Sequence, residues 1–184
     1  MGKSTAAAAF RRARIPVFDA DATVHALQAR GGKAVRPIGQ AFPGVIRNGA
    51  IDRAALRAIA IPDPAAMRVL ERILHPMVRT QERAFLAGAR RAGRVAAVLD
   101  IPLLLETGGE RRVDLVVVVS APPAVQRARV RARGRMTNDQ IAAIIARQMP
   151  DAEKRRRADI IIQTGLSRHH ANRRLRRLIQ DLRP

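Results

Sequence analysis

The chain begins with Met1-Gly2-Lys3-Ser4-Thr5, where a glycine, a lysine and two hydroxyl side chains follow one another. This stretch matches the second half of the phosphate-binding loop pattern G-x-x-x-x-G-K-[ST]. In such a loop, backbone N–H groups and the positive end of the following helix surround the phosphates, the lysine reaches the β- and γ-phosphates, and the hydroxyl holds Mg²⁺. Lys3 and Ser4 would take those two roles. The alternative is an ordinary helix N-terminus, because serine and threonine cap helices well.

Three further aspartates stand at the ends of short apolar runs that are typical of buried strands. Asp19 and Asp21 follow the run 15–18, and Asp100 ends the run 95–100. Ligands of open parallel sheets bind beyond the carboxyl ends of the strands, so we expect these carboxylates on the phosphate side. Asp21 is the candidate base for an attacking hydroxyl, and Asp19 or Asp100 would serve the water shell of Mg²⁺. The alternative is that Asp19 or Asp21 is an ordinary helix cap.

Two other aspartates, Asp114 and Asp159, precede apolar runs instead of following them. The same rule about parallel sheets places them at the opposite edge. We therefore predict that they are turn or cap residues.

A basic segment surrounds a glycine break late in the chain. Its arginines are Arg127, Arg129, Arg131, Arg133 and Arg135. Guanidinium groups on a hinged segment can close over ATP and exclude water, and the position of Arg133 beside Gly134 favours it for this role. The alternative is a solvated helix face in an arginine-rich chain.

The elements that must position these side chains alternate between strands and helices, which predicts a doubly wound parallel sheet in a three-layer α/β/α arrangement. The predicted strands are 15–18, 95–100, 115–119 and 159–162. The predicted helices are 4–14, 22–29, 35–42, 53–59, 65–74, 76–92, 122–132, 138–148 and a closing helix on which Leu175, Leu178, Ile179 and Leu182 share one face. No strand is predicted between 34 and 94, where a turn is expected at Asn48-Gly49. Asp21 would cap the helix 22–29, and His75-Pro76 would start the helix 76–92.

Composition limits the possible partners. The 184 residues are 47% hydrophobic and contain no cysteine, so we expect one domain, 1–184, without disulfides or thiolate metal sites.

No apolar run is long enough to span a membrane, and we expect a cytoplasmic protein. The net charge of +20 favours a phosphate-rich partner, but aromatic residues are only 2%, too few for a platform on which nucleic-acid bases could stack. We therefore expect a small-molecule substrate, no specific nucleic acid and no membrane.

The order of these motifs resembles the dephospho-coenzyme A kinase family over essentially the whole chain. The matching pieces are Gly2-Lys3-Ser4-Thr5, Phe18-Asp19-Ala20-Asp21 with His25 and Leu27, Leu74-His75-Pro76, Pro102-Leu103-Leu104-Leu105-Glu106, Gln126 with Arg129 and Arg133, Thr137, Gln148 and Ala158-Asp159. The resemblance implies an ATP- and Mg²⁺-dependent transfer of the γ-phosphoryl group to the ribose 3′-hydroxyl of dephospho-coenzyme A. It also implies a helical coenzyme-binding insertion at about 34–92, a lid at about 122–150, and a monomer or small homo-oligomer.

The resemblance further implies roles for individual residues. Asp21 would be the base and Arg133 would act on the lid. Gly2, Lys3, Ser4, Thr5 and Gly165 would contact the nucleotide. Asp19, His75, Pro76, Leu103 and Glu106 would lie on the substrate side.

Family members also have a strand and the first glycine of the loop ahead of the position of Met1, so we expect a chain that lacks a central strand and folds or acts poorly. Two other functions are consistent with the residues alone. One is another small P-loop nucleoside or nucleotide kinase, and the other is a non-catalytic, basic nucleic-acid-binding protein.

Overall fold

Helices alternate with short strands along the chain, and the computed structural model describes residues 2–131, 149–165 and 167–182. The helices in these ranges are α1 (Lys3–Arg12), α2 (Ala20–Gln28), α3 (Val35–Ala41), α4 (Arg53–Ala60), α5 (Pro64–Arg91), α6 (Pro123–Arg131), α7 (Asp151–Arg156) and α8 (Arg168–Asp181), and Gly109–Arg112 forms a 3-10 turn. The strands are β1 (Val17–Asp19), β2 (Ile46–Arg47), β3 (Ala50–Ile51), β4 (Val98–Asp100), β5 (Val117–Ser120) and β6 (Ile160–Gln163).

The chain divides into two units. Unit 1 comprises Met1–Val17 and Pro102–Pro184, and unit 2 comprises Phe18–Ile101. In the part of the chain that the structure describes, no helix is both long enough and apolar enough to cross a membrane.

Unit 1 is built around the parallel pair β5–β6, in which Val117 lies opposite Ile160 and Ser120 lies opposite Gln163. Parallel β-branched strands are typically covered by helices. Helix α8 packs against β6 and α1, and it buries Leu175, Leu178 and Ile179. The carboxylate of Asp159 accepts a hydrogen bond of 2.7 Å from the N–H of Val116, which fixes the start of the pair. Asp159 is thus a structural residue at the strand start, as its position in the sequence predicts.

Unit 2 is mostly helical, and α2, α3 and α4 each pack against the long helix α5. Its core joins residues from all four helices and from the segment between them. These are Leu27, Ala34, Ile38, Phe42, Val45, Ile51, Leu56 and Leu74. Strands β1 and β4 pair with each other, and the rings of Phe18 on β1 and Phe85 on α5 lie 5.6 Å apart at 45°. Aromatic pairs prefer such tilted packing.

The prediction of two separate helices around Pro76 in unit 2 is wrong. The predicted helices 65–74 and 76–92 are one helix, α5, with Pro76 inside it, so His75-Pro76 does not start a helix. Proline removes one backbone hydrogen bond and usually ends or kinks a helix. Here apolar side chains on both sides of Pro76, including Leu74 and Met77, pack in the same core, and their burial holds the helix together.

A β-hairpin also occurs where no strand was predicted. Strands β2 and β3 pair antiparallel around Asn48 and Gly49, whose φ angles are 51° and 76°. Positive φ at both central residues is the geometry that Asn-Gly favours in a tight hairpin turn. The turn itself was predicted, but strands of two residues each are too short to show an alternating pattern. Helix α7 was also not predicted, because it is too short to show a helical pattern of apolar residues.

Candidate functional site

The N-terminus of α1 has the geometry of the end of a phosphate-binding loop. Gly2 is the N-cap residue, with φ 103° and ψ 0° in the left-handed region, and its carbonyl accepts the N–H of Ala6 at 2.9 Å. Lys3, Ser4 and Thr5 form the first turn. The first turn of a helix presents backbone N–H groups and the positive end of the helix dipole to an anion. Ser4 and Thr5 are exposed, and Lys3 is half-buried.

Gly2 and the segment after β6 lie together in unit 1. A Cβ atom placed on Gly2 would lie 3.2 Å from Cγ2 of Thr164 and 3.5 Å from Cγ1 of Val119. The position of Gly165 has no room for a side chain, because a Cβ atom there would lie 2.9 Å from Cγ of Pro122 and closer still to Cδ of that ring. Glycine is therefore needed at both positions, for backbone conformation at Gly2 and for close approach at Gly165. The structure thus brings the start of α1 to the segment that contains Gly165.

Unit 2 contains the three candidate carboxylates. Asp19 ends β1 and caps α2, since its Oδ1 accepts the N–H of Ala22 at 2.9 Å. The prediction that Asp21 caps this helix is wrong, because α2 begins at Ala20 rather than at position 22, and Asp21 lies inside its first turn. Asp21 is exposed, and its carboxylate makes no hydrogen bond or ion pair with the side chains and backbone that the structure describes. Asp100 is the last residue of β4, the strand that pairs with β1.

The structure pairs a histidine on the helix that contains Asp21 with an arginine, and the sequence did not single out either residue for chemistry. Nη1 of Arg53, the first residue of α4, is 3.4 Å from Nδ1 of His25 on α2. His25 belongs to a motif that matches the family, but Arg53 lies in an ordinary helical stretch. One sequence feature could have pointed to Arg53 as a candidate site residue. It follows the capping residue Asp52 directly and is therefore the first residue of its helix.

The predicted substrate residues are spread over both units. In unit 2, His75 and Pro76 lie exposed in the middle of α5. In unit 1, Leu103 is 42% exposed. Glu106 is largely buried, and its Oε1 lies 2.7 Å from Nζ of Lys154 and accepts the N–H of Met149 at 3.1 Å.

The contacts with Lys154 and Met149 keep the carboxyl group of Glu106 ionised. Burial raises the pKa of its carboxyl, but the hydrogen bond from Lys154, together with those from backbone N–H groups, outweighs burial. The pKa of Glu106 therefore lies below its ordinary value, and the side chain is an anion that holds α7 to the segment after β4.

Arg133 and most of the predicted lid lie outside the described residues, as does the predicted helix 138–148. The structure describes α6, which corresponds to the predicted helix 122–132.

An open cleft of about 440 Å³ also lies in unit 2, between the end of α2, helix α3 and the β2–β3 hairpin. It is lined by Gly31, Gly32, Val35, Arg36, Gly39, Gln40, Ile46 and Gly49. No predicted site residue lines it, so the cleft does not coincide with the candidate carboxylates.

The residues present fit a magnesium ion bound together with a nucleotide. Mg²⁺ prefers oxygen ligands, and in phosphoryl-transfer sites it uses one or two protein groups with substrate phosphates and water. The first turn of α1 offers an oxygen of this kind, the exposed hydroxyl of Ser4. Within residues 2–131, 149–165 and 167–182, no group of three or more histidine or acidic side chains is placed to hold a metal by itself.

An α/β fold with a parallel strand pair and a glycine-capped first helix is that of a P-loop kinase, and similar solved structures agree. The structure of TT1252 from Thermus thermophilus superposes with a TM-score of 0.82 at 33% identity, covering 100% of this chain and 93% of that one. A dephospho-CoA kinase from Campylobacter jejuni has the same fold, with a TM-score of 0.73 at 22% identity over 98% of this chain and 91% of that chain. The predicted fold class is confirmed.

The chain belongs to the dephospho-CoA kinase (CoaE) family, whose model matches residues 1–168. A dephospho-CoA kinase of Paramagnetospirillum magneticum is 61% identical over 155 residues, which cover 84% of this chain and 73% of the relative. The family predicted from the order of motifs is thereby confirmed, and the protein is a kinase.

Proposed function

We propose that this chain transfers the γ-phosphoryl group of ATP to the ribose 3′-hydroxyl of dephospho-coenzyme A, giving coenzyme A and ADP. Family membership supplies the reaction class. The structural observation that carries the proposal is Asp21, an exposed carboxylate in the first turn of α2 that no described residue engages. A base must be open to its substrate, whereas the neighbouring Asp19 already caps α2.

Asp21 is the base in the proposed reaction. Its carboxylate accepts the proton of the 3′-hydroxyl as that oxygen forms a bond to the γ-phosphorus. The bond from the γ-phosphorus to the β,γ-bridging oxygen breaks at the same time, and ADP leaves with that electron pair. Asp21 then releases its proton to solvent.

The start of α1 is the proposed phosphate site. Backbone N–H groups of its first turn and the ammonium group of Lys3 bind the β- and γ-phosphates. Gly2 and Thr5 complete this turn, and Gly165 lines the nucleotide side. Arg133 is the proposed cation that acts on the transferred group.

Magnesium, when bound with ATP, neutralises charge on the phosphates. Ser4 is its proposed direct ligand, and either Asp19 or Asp100 serves its water shell. Asparagine at position 19 still caps a helix, so Asp19→Asn removes the charge and keeps the cap. Comparing the Mg²⁺ dependence of Asp19→Asn and Asp100→Asn identifies which carboxylate serves the metal.

Four residues are proposed to lie on the substrate side. His75 and Pro76 are open to a ligand on α5, and Leu103 is open in unit 1. Glu106 acts there indirectly, because its carboxylate is already engaged by Lys154 and Met149.

The test is an assay of the purified protein with ATP, Mg²⁺ and dephospho-coenzyme A, with the product identified by mass. Coenzyme A should form only when ATP and Mg²⁺ are both present. A panel of nucleosides, nucleotides and small alcohols is the control for another small kinase activity. Phosphorylation of a different acceptor with none of dephospho-coenzyme A would overturn the proposal.

A further inference from the structure

The contact between Arg53 and His25 determines which imidazole nitrogen carries the proton. A guanidinium group has only N–H donors, so Nδ1 of His25 must accept from Nη1 of Arg53, 3.4 Å away. The ring proton then lies on Nε2. His25 is exposed, so its Nε2–H is a donor that a ligand can reach.

His25 and Asp21 are four residues apart on α2, and residues with this spacing lie one above the other on the same helix face. Their Cβ atoms are then about 6 Å apart. This is comparable to the separation between the 3′-hydroxyl and the 5′-phosphorus of one nucleotide. A nucleotide whose 3′-hydroxyl lies at Asp21 therefore has its 5′-phosphates within reach of His25 and of Arg53 beside it.

The position of Arg53 favours an anionic ligand. Arg53 is the first residue of α4, where the helix dipole is positive, and the first turn of α4 contains no acidic residue. The carboxylate of Asp52, the N-cap residue, offsets part of this charge, but its bonds go to the N–H groups of Ala54 and Ala55 and, at 3.0 Å, to Nε of Arg47. A guanidinium group beside the first turn of a helix adds to an electrostatic environment that favours an anionic ligand.

We propose that Arg53 and His25 bind the 5′-diphosphate of the acceptor nucleotide while Asp21 faces its 3′-hydroxyl. Arg53 binds the phosphate oxygens with its remaining N–H groups, and it holds His25 so that Nε2–H donates to the same group. This inference rests on the proposed function, because it assigns a role in recognition of dephospho-coenzyme A. It adds two residues to the acceptor site and explains how the acceptor is oriented toward the base.

The first test compares Arg53→Met with Arg57→Met, a matched control at an exposed arginine on the same helix. Loss of a charge-assisted hydrogen bond should raise the KM for dephospho-coenzyme A roughly 10- to 100-fold in Arg53→Met. The KM for ATP and the inhibition constant of adenosine, measured against dephospho-coenzyme A at saturating ATP, should change less than about two-fold. Adenosine has no diphosphate, so a residue with a purely structural role would affect adenosine and dephospho-coenzyme A alike.

The second test uses the two amide substitutions of His25. Glutamine places an N–H donor near the position of Nε2, whereas asparagine places one near Nδ1. His25→Gln should therefore keep the KM for dephospho-coenzyme A close to that of the wild-type protein, and His25→Asn should raise it. Equal effects of the two substitutions would contradict the assigned donor.

The results separate this inference from the proposed function. A wild-type protein that does not phosphorylate dephospho-coenzyme A would refute both. An active wild-type protein in which Arg53→Met behaves like Arg57→Met, or in which adenosine inhibition weakens as much as the KM rises, would refute only the diphosphate site.

Discussion

Acidic side chains serve different purposes in the two units. In unit 1, Glu106 binds Lys154, Asp151 accepts the hydroxyl of Ser120 at 2.6 Å, and Asp159 accepts a backbone N–H. These carboxylates connect segments that are far apart in sequence. In unit 2, helix caps engage Asp19, Asp52 and Asp63, while Asp21 has no described partner. This contrast favours Asp21 over Asp19 as the carboxylate available for chemistry.

Replacement of Asp21 by asparagine tests the contrast between Asp21 and the carboxylates that have structural partners. Of the substitutions considered, it should have the largest effect. Without a base, kcat should fall roughly 10²- to 10⁴-fold, which is the usual contribution of general base catalysis. The melting temperature should fall only slightly, because Asp21 is exposed and its described surroundings offer its charge only the dipole of α2. Asp114→Asn, at another exposed aspartate, is the control and should keep wild-type activity. A stable Asp21→Asn protein with wild-type kcat would contradict the role of Asp21 as base.

Replacement of Lys3 by methionine tests the phosphate end of unit 1. Methionine keeps the apolar stem of the side chain and removes its charge, so the KM for ATP should rise roughly 10- to 100-fold. The affinity for dephospho-coenzyme A should change much less. The measurement is a pair of KM values at saturating co-substrate, with Arg11→Met in the last turn of α1 as the control. If both KM values rose equally, Lys3 would not be specific to the nucleotide phosphates.

Replacement of Glu106 by glutamine tests the structural use of carboxylates in unit 1. It leaves the largely buried ammonium of Lys154 without its anion, so the free energy of unfolding should fall by about 1–3 kcal/mol. Lys154→Met and the double substitution complete a double-mutant cycle, and denaturant unfolding measures it. Additive losses would show that the pair has no coupling energy.

The pH dependence of stability gives a second measurement on this pair. The pKa of Glu106 is lower in the folded protein than its ordinary value of about 4.5. The ionised carboxylate of Glu106 therefore contributes its full stabilisation above the ordinary pKa. This contribution is lost as the pH falls through the lower pKa of the folded state. The melting temperature of the wild-type protein should thus fall more steeply on acidification below about pH 4.5 than that of Glu106→Gln.

The smallest expected effect is at a helix cap. The hydroxyl of Ser167 accepts the N–H of His170 at 3.0 Å at the start of α8. Ser167→Ala should lower the free energy of unfolding by about 1 kcal/mol, and Ser167→Asn, which keeps an acceptor, should lower it less. Activity should be unchanged at temperatures where the variants are folded. If alanine and asparagine destabilised the protein equally, the cap would not be the cause.

Much of the fold follows from local patterns. The four predicted strands all exist, although each begins one to three residues later than predicted, and most predicted helices are present among the described residues. Boundaries moved because the ends of elements depend on caps and on packing partners rather than on periodicity alone. The role of Asp19 shows this, since the helix it caps begins earlier than the apolar pattern of 22–29 indicates.

The sequence by itself determined the family, the order of strands and helices, and the positions of the candidate phosphate-binding turn and of Asp21, because these depend on neighbouring residues and on spacing within one element. Only the tertiary structure decided that α5 continues through Pro76, that Glu106 binds Lys154, and that Arg53 contacts His25. These outcomes depend on burial and on contacts between residues distant along the chain. Local periodicity contains no information about such contacts.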